Sequence, residues 1–241
     1  YANGEIGTIE PMKEIGTITK EKGVFFHTDA VAAVGNIPVD VEEAHIDALS
    51  MSANQFYGPS GIGALYVREG VRILPFMEGG IQEGGRRAGT ENIIGIVGMG
   101  KAAELAKLEM SQRIDKIQNL RNQLRDGILK NINHVYLNGH QTNRLPGNLS
   151  LCIEYIEGES VLLFLDMQGI AISSGSACTS RSLKASHVIM ATCVDAALAQ
   201  GTVLFSLGID NSETDVKYVL EKLPPIVERL RQMSPLYNQK K

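Results

Sequence analysis

Short apolar runs alternate along the chain with longer stretches in which apolar residues recur every three or four positions. The short runs predict strands, and the longer stretches predict helices with one apolar face. The predicted strands cover residues 24–27, 46–51, 64–67, 135–137, 148–152, 170–173 and 203–206, and the predicted helices cover residues 11–22, 93–132, 158–167, 185–199 and 212–233. Strands that alternate with helices favour an α/β fold with a mostly parallel sheet.

The helix predicted over residues 93–132 divides the chain into two parts. Its apolar positions, among them Ala106, Ile117 and Leu124, keep helical spacing with charged residues between them. We therefore predict an α/β domain over residues 1–92, a long connecting helix over 93–132 and a smaller α+β domain over 133–241.

Composition and charge exclude several classes of function. The chain has 241 residues, of which 44% are hydrophobic, and this is enough to bury a substantial core. A net charge of −4 and a pI near 5.8 leave no basic face for nucleic acid. The sequence contains no apolar run that would span a bilayer and no basic-then-apolar signal pattern at Tyr1. We expect a cytoplasmic protein without nucleic-acid or membrane partners, and we expect its first residues to continue a strand of a longer fold.

The three cysteines offer one candidate for reactive chemistry. Their odd number and wide spacing fit neither a disulfide framework nor a zinc site, and a reducing compartment is the simplest setting. Cys152 falls in an apolar strand pattern and Cys193 on a predicted helix, so both are interpreted as structural. Cys178 lies in a run of small residues, 173–180, that is typical of an exposed loop. It is either a nucleophile or a cysteine that packs as a small hydrophobic side chain.

Two further segments suggest ligand contacts. Asp29 ends an apolar run, where a carboxylate would face the crevice in which open α/β sheets bind ligands. One use of such a carboxylate is to pair with the ring nitrogen of pyridoxal phosphate; the alternative is an N-cap for a helix over residues 30–34. The glycine-rich stretch 78–90 is either an anion-binding loop that includes Thr90 or a plain surface loop.

Several segments resemble those of a known family in their residues and in their order along the chain. These segments are Asn3-Gly4-Glu5-Ile6-Gly7, His27-Thr28-Asp29-Ala30, Val34-Gly35-Asn36-Ile37-Pro38, Tyr57-Gly58-Pro59, Arg87-Ala88-Gly89-Thr90-Glu91-Asn92, Gly158-Glu159-Ser160, the loop around Cys178, and Phe205-Ser206-Leu207-Gly208. Together they resemble, nearly end to end, the cysteine desulfurases of the NifS/IscS type in the class V aminotransferase group. The resemblance implies fold-type I, with residues 1–92 as the C-terminal part of the large cofactor domain and residues 133–241 as the small domain.

The resemblance also implies a chemistry. In such enzymes pyridoxal phosphate, bound to a lysine as a Schiff base, takes up L-cysteine, and a loop cysteine attacks the substrate sulfur to leave a persulfide and alanine. By position Cys178 is the nucleophile, Asp29 the ring-nitrogen partner and Ser52 a phosphate ligand. Thr90 contacts the phosphate of the cofactor in the other subunit of a homodimer. The persulfide then passes to a sulfur acceptor or scaffold protein, for iron–sulfur clusters, thio-cofactors or thiolated tRNA.

The chain departs from the family pattern at the cofactor. The resemblance places Gln55 at the Schiff-base lysine and Asn54 at the preceding histidine, and an amide cannot form an imine or act as the usual base. Other polar positions around the cofactor and substrate are also replaced, at Gly4, Ala32, Gly84, Leu204 and Ile209. We therefore expect pyridoxal phosphate to bind non-covalently at most.

Three functions stay open from the sequence. The first is a degenerate relative that keeps Cys178 as a persulfide relay or serves as a structural partner. The second is an active desulfurase with non-covalent cofactor, whose site is completed by a separate N-terminal chain. The third is an interaction module without sulfur chemistry.

Overall fold

The structure, a computed structural model, describes residues 1–174, 186–192 and 194–238. Cys178 and Cys193 lie outside these described residues. The chain forms two compact units. The first unit comprises Tyr1 and Glu10–Met110, and the second comprises Ala2–Ile9 and the chain from Ser111 onward.

The first unit is built around a three-stranded sheet. Helix α1 (Met12–Glu21) precedes strands β1 (His27–Asp29), β2 (Ala48–Ser52) and β3 (Gly63–Val67), which lie in the order β1-β2-β3. Strand β1 pairs in parallel with β2, and β2 pairs antiparallel with β3. One pairing is therefore parallel and the other antiparallel, and the connection from β1 to β2 is formed by turns rather than by a helix.

A short buried segment follows β2. A 3₁₀ helix over Ala53–Phe56 leads into the turn at Tyr57 and Gly58. Ala53 and Phe56 pack in one cluster with Ala102 and Ala106 of helix α2 (Ile93–Asn131). The segment is thus fixed to the unit by its first and last side chains.

The second unit contains an antiparallel sheet covered by helices. Strands β4 (Val135–Leu137), β5 (Asn148–Ile153) and β6 (Thr202–Ser206) lie in the order β4-β5-β6, and every residue of β5 is buried. Helix α3 (Gly158–Asp166) packs on β6 and on α6 (Glu213–Met233). Short helices α4 (His187–Ala191), α5 (Ala196–Ala199) and α7 (Pro235–Asn238) complete the described part. The main core draws on the second half of α2, on β5 and β6, and on α3 and α6.

Three predicted elements differ from the observed ones. The first strand begins at His27 rather than at Val24, and Val24 and Phe25 are exposed. The predicted strand 170–173 is a single bridge between Ser173 and Leu204. The predicted helix 185–199 is divided, since Ser186 caps α4 and Asp195 caps the separate helix α5.

Candidate functional site

Asp29 ends β1 on a polar face of the first sheet. It is paired in register with Ser50, so the two residues share a face, and His27 lies two residues earlier on that face. The ring Nε2 of His27 lies 2.8 Å from the hydroxyl of Ser50. Because β1 and β2 run in parallel, Asp29 and Ser52 lie at the same end of the sheet, which is the edge where such sheets bind ligands.

The carboxylate of Asp29 caps a turn rather than a helix. Its Oδ1 accepts a hydrogen bond of 2.9 Å from the backbone N–H of Val31. Residues 31–33 form a turn, so the alternative in which Asp29 is the N-cap of a helix over residues 30–34 is wrong. Bonds from the N–H groups of Ala33 and Val34 back to the carbonyl of Ala30 close this turn. The carboxylate is solvent-exposed, and Oδ2 has no hydrogen-bond partner in the described part of the chain.

Asn54 and Gln55 are presented by the buried segment after β2. Ala53 is 0% exposed and Phe56 is 1% exposed, while Asn54 and Gln55 between them face solvent. The chain leaves the segment through Tyr57, whose φ is +69°, and the N–H of Gly58 bonds to the carbonyl of Ala53 at 2.8 Å. The position that the resemblance assigns to the Schiff-base lysine is therefore held on a rigid support.

Ser52 and Asn54 interact with each other. The hydroxyl of Ser52 donates a hydrogen bond of 2.6 Å to Oδ1 of Asn54. The same hydroxyl is the group that the resemblance assigns to a phosphate. To donate a hydrogen bond to a phosphate, this hydroxyl would have to turn away from Asn54. Otherwise the phosphate would accept hydrogen bonds from other groups.

Asn36 is a site residue that the sequence did not single out. Its side-chain nitrogen donates to the carbonyl oxygens of Ala32 and of Gln55, each at 3.2 Å. The one signal in the sequence is its place in the Val34-Gly35-Asn36-Ile37-Pro38 segment, which is part of the family resemblance but does not by itself assign a role to Asn36.

Thr90 lies apart from these contacts, in the glycine-rich loop. Its residue is exposed, and the preceding Gly89 donates its N–H to Oε1 of Gln82 at 3.3 Å. Ala88 is buried and its N–H bonds to the carbonyl of Met77, which fixes the base of the loop. The described residues do not include a hydrogen bond from the side chain of Thr90.

Cys152 is the one cysteine that the described residues contain, and its surroundings are structural. It is fully buried in β5, where its thiol donates to Oδ1 of Asn138 at 3.2 Å and lies 3.3 Å from the hydroxyl of Thr202. Burial raises the pKa of the Cys152 thiol above its ordinary value. The protonated thiol therefore predominates at neutral pH, as the structural interpretation requires.

Neither metal binding nor a membrane span is indicated by the described residues. Within residues 1–174, 186–192 and 194–238, no three His, Cys, Asp or Glu side chains are grouped so as to hold a metal ion. None of the helices that the structure describes combines the length and the apolar character needed to cross a bilayer.

The residues around Asp29 fit pyridoxal phosphate in part. The exposed Oδ2 of Asp29 suits a protonated ring nitrogen, and the hydroxyl of Ser52 suits a phosphate oxygen. Position 55 offers an amide, so the fit is to a ring held without a covalent bond. Asp29 and Ser52 would therefore hold pyridoxal phosphate, and position 55 would contribute no amine.

Comparisons with known proteins agree in both sequence and fold. The aminotransferase class-V family model matches residues 1–219. Cysteine desulfurase IscS of Dictyoglomus turgidum is 52% identical over 235 residues, which is 98% of this chain and 60% of that protein. Cysteine desulfurase IscS of Methanosarcina thermophila is 53% identical over 236 residues, which is 98% of this chain and 58% of that protein.

A solved structure described as a NifS-like protein has a TM-score of 0.86 and 36% identity, over 95% of this chain and 60% of that one. The resemblance and the fold-type I assignment are thereby confirmed. The chain spans about three fifths of the length of these relatives and corresponds to their C-terminal part.

Proposed function

The chain belongs to the aminotransferase class-V family, and on that premise we propose that it acts in sulfur transfer as a degenerate relative of the cysteine desulfurases. In this role Cys178 carries a persulfide, while the chain does not itself release sulfur from L-cysteine. The observation that carries the proposal is Gln55, an amide on the rigid support at the position of the Schiff-base lysine.

The amide at position 55 removes two functions at once. A carboxamide nitrogen is not nucleophilic enough to form an imine, and it has no titratable nitrogen near neutral pH to move a proton. Pyridoxal phosphate, when bound, supplies an electron sink to an amino acid substrate. In this chain Asp29, Ser52 and Thr90 are the residues proposed to hold it, with Asn54 and Gln55 beside it and without covalent capture.

The proposed relay step needs no cofactor. The thiolate of Cys178 attacks the outer sulfur of a donor persulfide, the donor sulfur–sulfur bond breaks, and the donor leaves as a thiolate. One sulfur atom moves, a new sulfur–sulfur bond forms on Cys178, and the charge moves from one thiolate to the other. The persulfide then passes to an acceptor or scaffold protein by the same exchange. A reducing cytoplasm suits this chemistry.

A second candidate function keeps the desulfurase activity. Asp29 remains available at the sheet edge, and the chain spans about three fifths of its relatives' length. A separate chain that supplied the remaining part could complete a site with non-covalent cofactor, with L-cysteine as substrate. This alternative requires another base in place of the lysine.

The first unit carries an exposed apolar surface that suits a protein partner. Leu74, Phe76, Ile81 and Ile94 are each 87% or more exposed. Leu74 and Phe76 line the same cavity, and contiguous exposed apolar patches are typical of interaction sites. We propose that a second copy of this chain, or an N-terminal family chain, covers them, and that residues 1–92, 93–132 and 133–241 keep the domain roles assigned from the sequence. A non-catalytic interaction module would use the same surface.

Persulfide acceptance tests the proposal. The purified chain is incubated with an active cysteine desulfurase, L-cysteine and pyridoxal phosphate, and the persulfide is located by alkylation and peptide mass spectrometry. We expect labelling at Cys178 that disappears in Cys178→Ala and persists in Cys152→Ala. The absence of persulfide on Cys178, with the donor enzyme active in the same tube, would remove the relay.

A further inference from the structure

Asn36 joins the two segments that carry the predicted cofactor contacts. Its side-chain nitrogen donates one hydrogen bond to the carbonyl of Ala32, inside the turn that Asp29 begins. It donates a second bond, also of 3.2 Å, to the carbonyl of Gln55. One amide group thus ties the backbone after Asp29 to the backbone at position 55.

A close backbone approach supports the same junction. Gly35 has a φ of +79°, and a Cβ atom added there would lie 2.3 Å from Cβ of Phe56. Only glycine allows this approach without strain. Phe56 is buried, so the neighbour of position 55 cannot yield easily. Position 55 is therefore held by the buried ends of its own segment and by Asn36.

We propose that Asn36 is a positioning residue for position 55. The backbone conformation that would present a lysine there is kept in this chain, although the residue is glutamine. The inference rests on the proposed function for the identity of the cofactor. It goes further by assigning a role to Asn36 and by separating the geometry of position 55, which is retained, from its chemistry, which is lost.

The chemistry that reports this geometry is imine formation with pyridoxal phosphate. In the variant Gln55→Lys, the neutral ε-amine adds to the aldehyde carbon, the nitrogen gives up two protons, and the aldehyde oxygen leaves as water. A carbon–nitrogen double bond forms without any change of oxidation state. Added borohydride then delivers a hydride to the carbon, and water supplies a proton to the nitrogen. The resulting secondary amine is stable and is assigned to a residue by mass spectrometry.

The test measures the labelled fraction at position 55 at a fixed, subsaturating concentration of pyridoxal phosphate. Gln55→Lys is compared with the double variants Gln55→Lys/Asn36→Asp and Gln55→Lys/Asn36→Gln, all in the full chain. Aspartate keeps the size of asparagine but has no N–H donors, so both hydrogen bonds are lost and we expect labelling to fall about tenfold. Glutamine keeps the donors, and we expect it to recover part of the labelling.

Three controls separate positioning from general damage. Asn119 is an exposed asparagine of α2, and Gln55→Lys/Asn119→Asp should be labelled like Gln55→Lys. Labelling at the exposed Lys107 and the thermal unfolding midpoint should stay constant across the set. A role limited to folding would lower the midpoint without a selective loss at position 55.

Three results would overturn the proposal. They are the absence of selective labelling in Gln55→Lys, equal labelling of position 55 with and without Asn36→Asp, and a loss that Lys107 shares. The persulfide assay on Cys178 is independent of this labelling. A failed relay therefore leaves the positioning result standing, and a failed positioning result leaves the relay standing.

Discussion

Position 55 carries an exposed amide side chain at the place that the resemblance assigns to the Schiff-base lysine. Gln55 lies between buried Ala53 and Phe56, and its carbonyl is held by Asn36. The resemblance implies that other cofactor and substrate contacts are also missing, at Gly4, Ala32 and Ile209. In the proposed function, the loss of catalytic groups is therefore spread over several residues.

The variant Gln55→Lys tests whether the missing lysine alone accounts for the proposed loss of desulfurase activity. We expect it to capture pyridoxal phosphate but to form no alanine or sulfide from L-cysteine, because the polar groups at positions 4, 32 and 209 stay absent. Alanine and sulfide are measured after incubation with both compounds, with the unmodified chain as control. Turnover in Gln55→Lys alone would show that the lysine was the one missing group.

Cys152 gives a second residue-level prediction. In a Cys178→Ala/Cys193→Ala variant, we expect Cys152 to react with a thiol reagent only after unfolding, because it is fully buried and hydrogen-bonded to Asn138. Reaction with an excess of reagent is followed in buffer and in denaturant. Fast reaction of the folded protein would contradict the structural assignment.

The raised pKa of Cys152 also sets a pH dependence of stability. Burial raises the folded pKa above the unfolded value of about 8.5, so the unfolded chain loses this proton first. The free energy of unfolding should therefore fall as pH rises above about 8.5, relative to a Cys152→Ala protein. Denaturant titrations from pH 7 to 10 compare the two proteins. Parallel curves would contradict the burial of the thiol.

At the scale of elements, the buried arginine Arg144 connects separate segments of the second unit. Arg144 is 4% exposed and donates to the carbonyls of Asn148, Asn138, His140 and Ile6. These bonds connect the loop between β4 and β5 with the Ala2–Ile9 segment. Burial, and then the charges of Arg121 and Arg125, lower the pKa of Arg144 to about 10, so its guanidinium is still charged at neutral pH.

Replacing this arginine should be costly. Arg144→Met would leave several buried carbonyls without donors, and we expect a loss of about 3 kcal/mol or more in the free energy of unfolding. Arg72 is exposed, and Arg72→Met should change stability by no more than about 0.5 kcal/mol. Denaturant unfolding measures both variants. Equal stability of the two would show that the arginine network contributes little.

The sequence predicted most elements because their apolar patterns are local. The 39-residue helix Ile93–Asn131 follows directly from its helical spacing, and β5 from its apolar run. For the segment after Asp29 the sequence left a helix open as one of two alternatives, and the structure shows a turn there. Its hydrogen bonds instead close within a few residues, and Asn36 and Phe56 then fix it. Such tertiary contacts have no periodic signal, so Asn36 could not be identified from sequence.

At the scale of the whole molecule, the exposed apolar side chains of the first unit predict self-association or binding of a companion chain. We expect the purified chain to form dimers at micromolar concentration, and Phe76→Glu to shift it toward monomer, because Phe76 is fully exposed. Sedimentation velocity measures both. Leu163→Glu, at an exposed residue of helix α3 in the second unit, serves as the matched control. If the chain is monomeric at all concentrations, the exposed apolar side chains do not mediate self-association, and only binding of a companion chain is left.

The central claim is that the chain keeps a sulfur-carrying cysteine and has lost the chemistry that releases sulfur. Alanine formation from L-cysteine in the presence of pyridoxal phosphate tests this most directly, since each released sulfur leaves one alanine. We expect the unmodified chain to form no more alanine than Cys178→Ala, while a known desulfurase assayed in parallel is active. Alanine formation that depends on Cys178, with Gln55 in place, would contradict it.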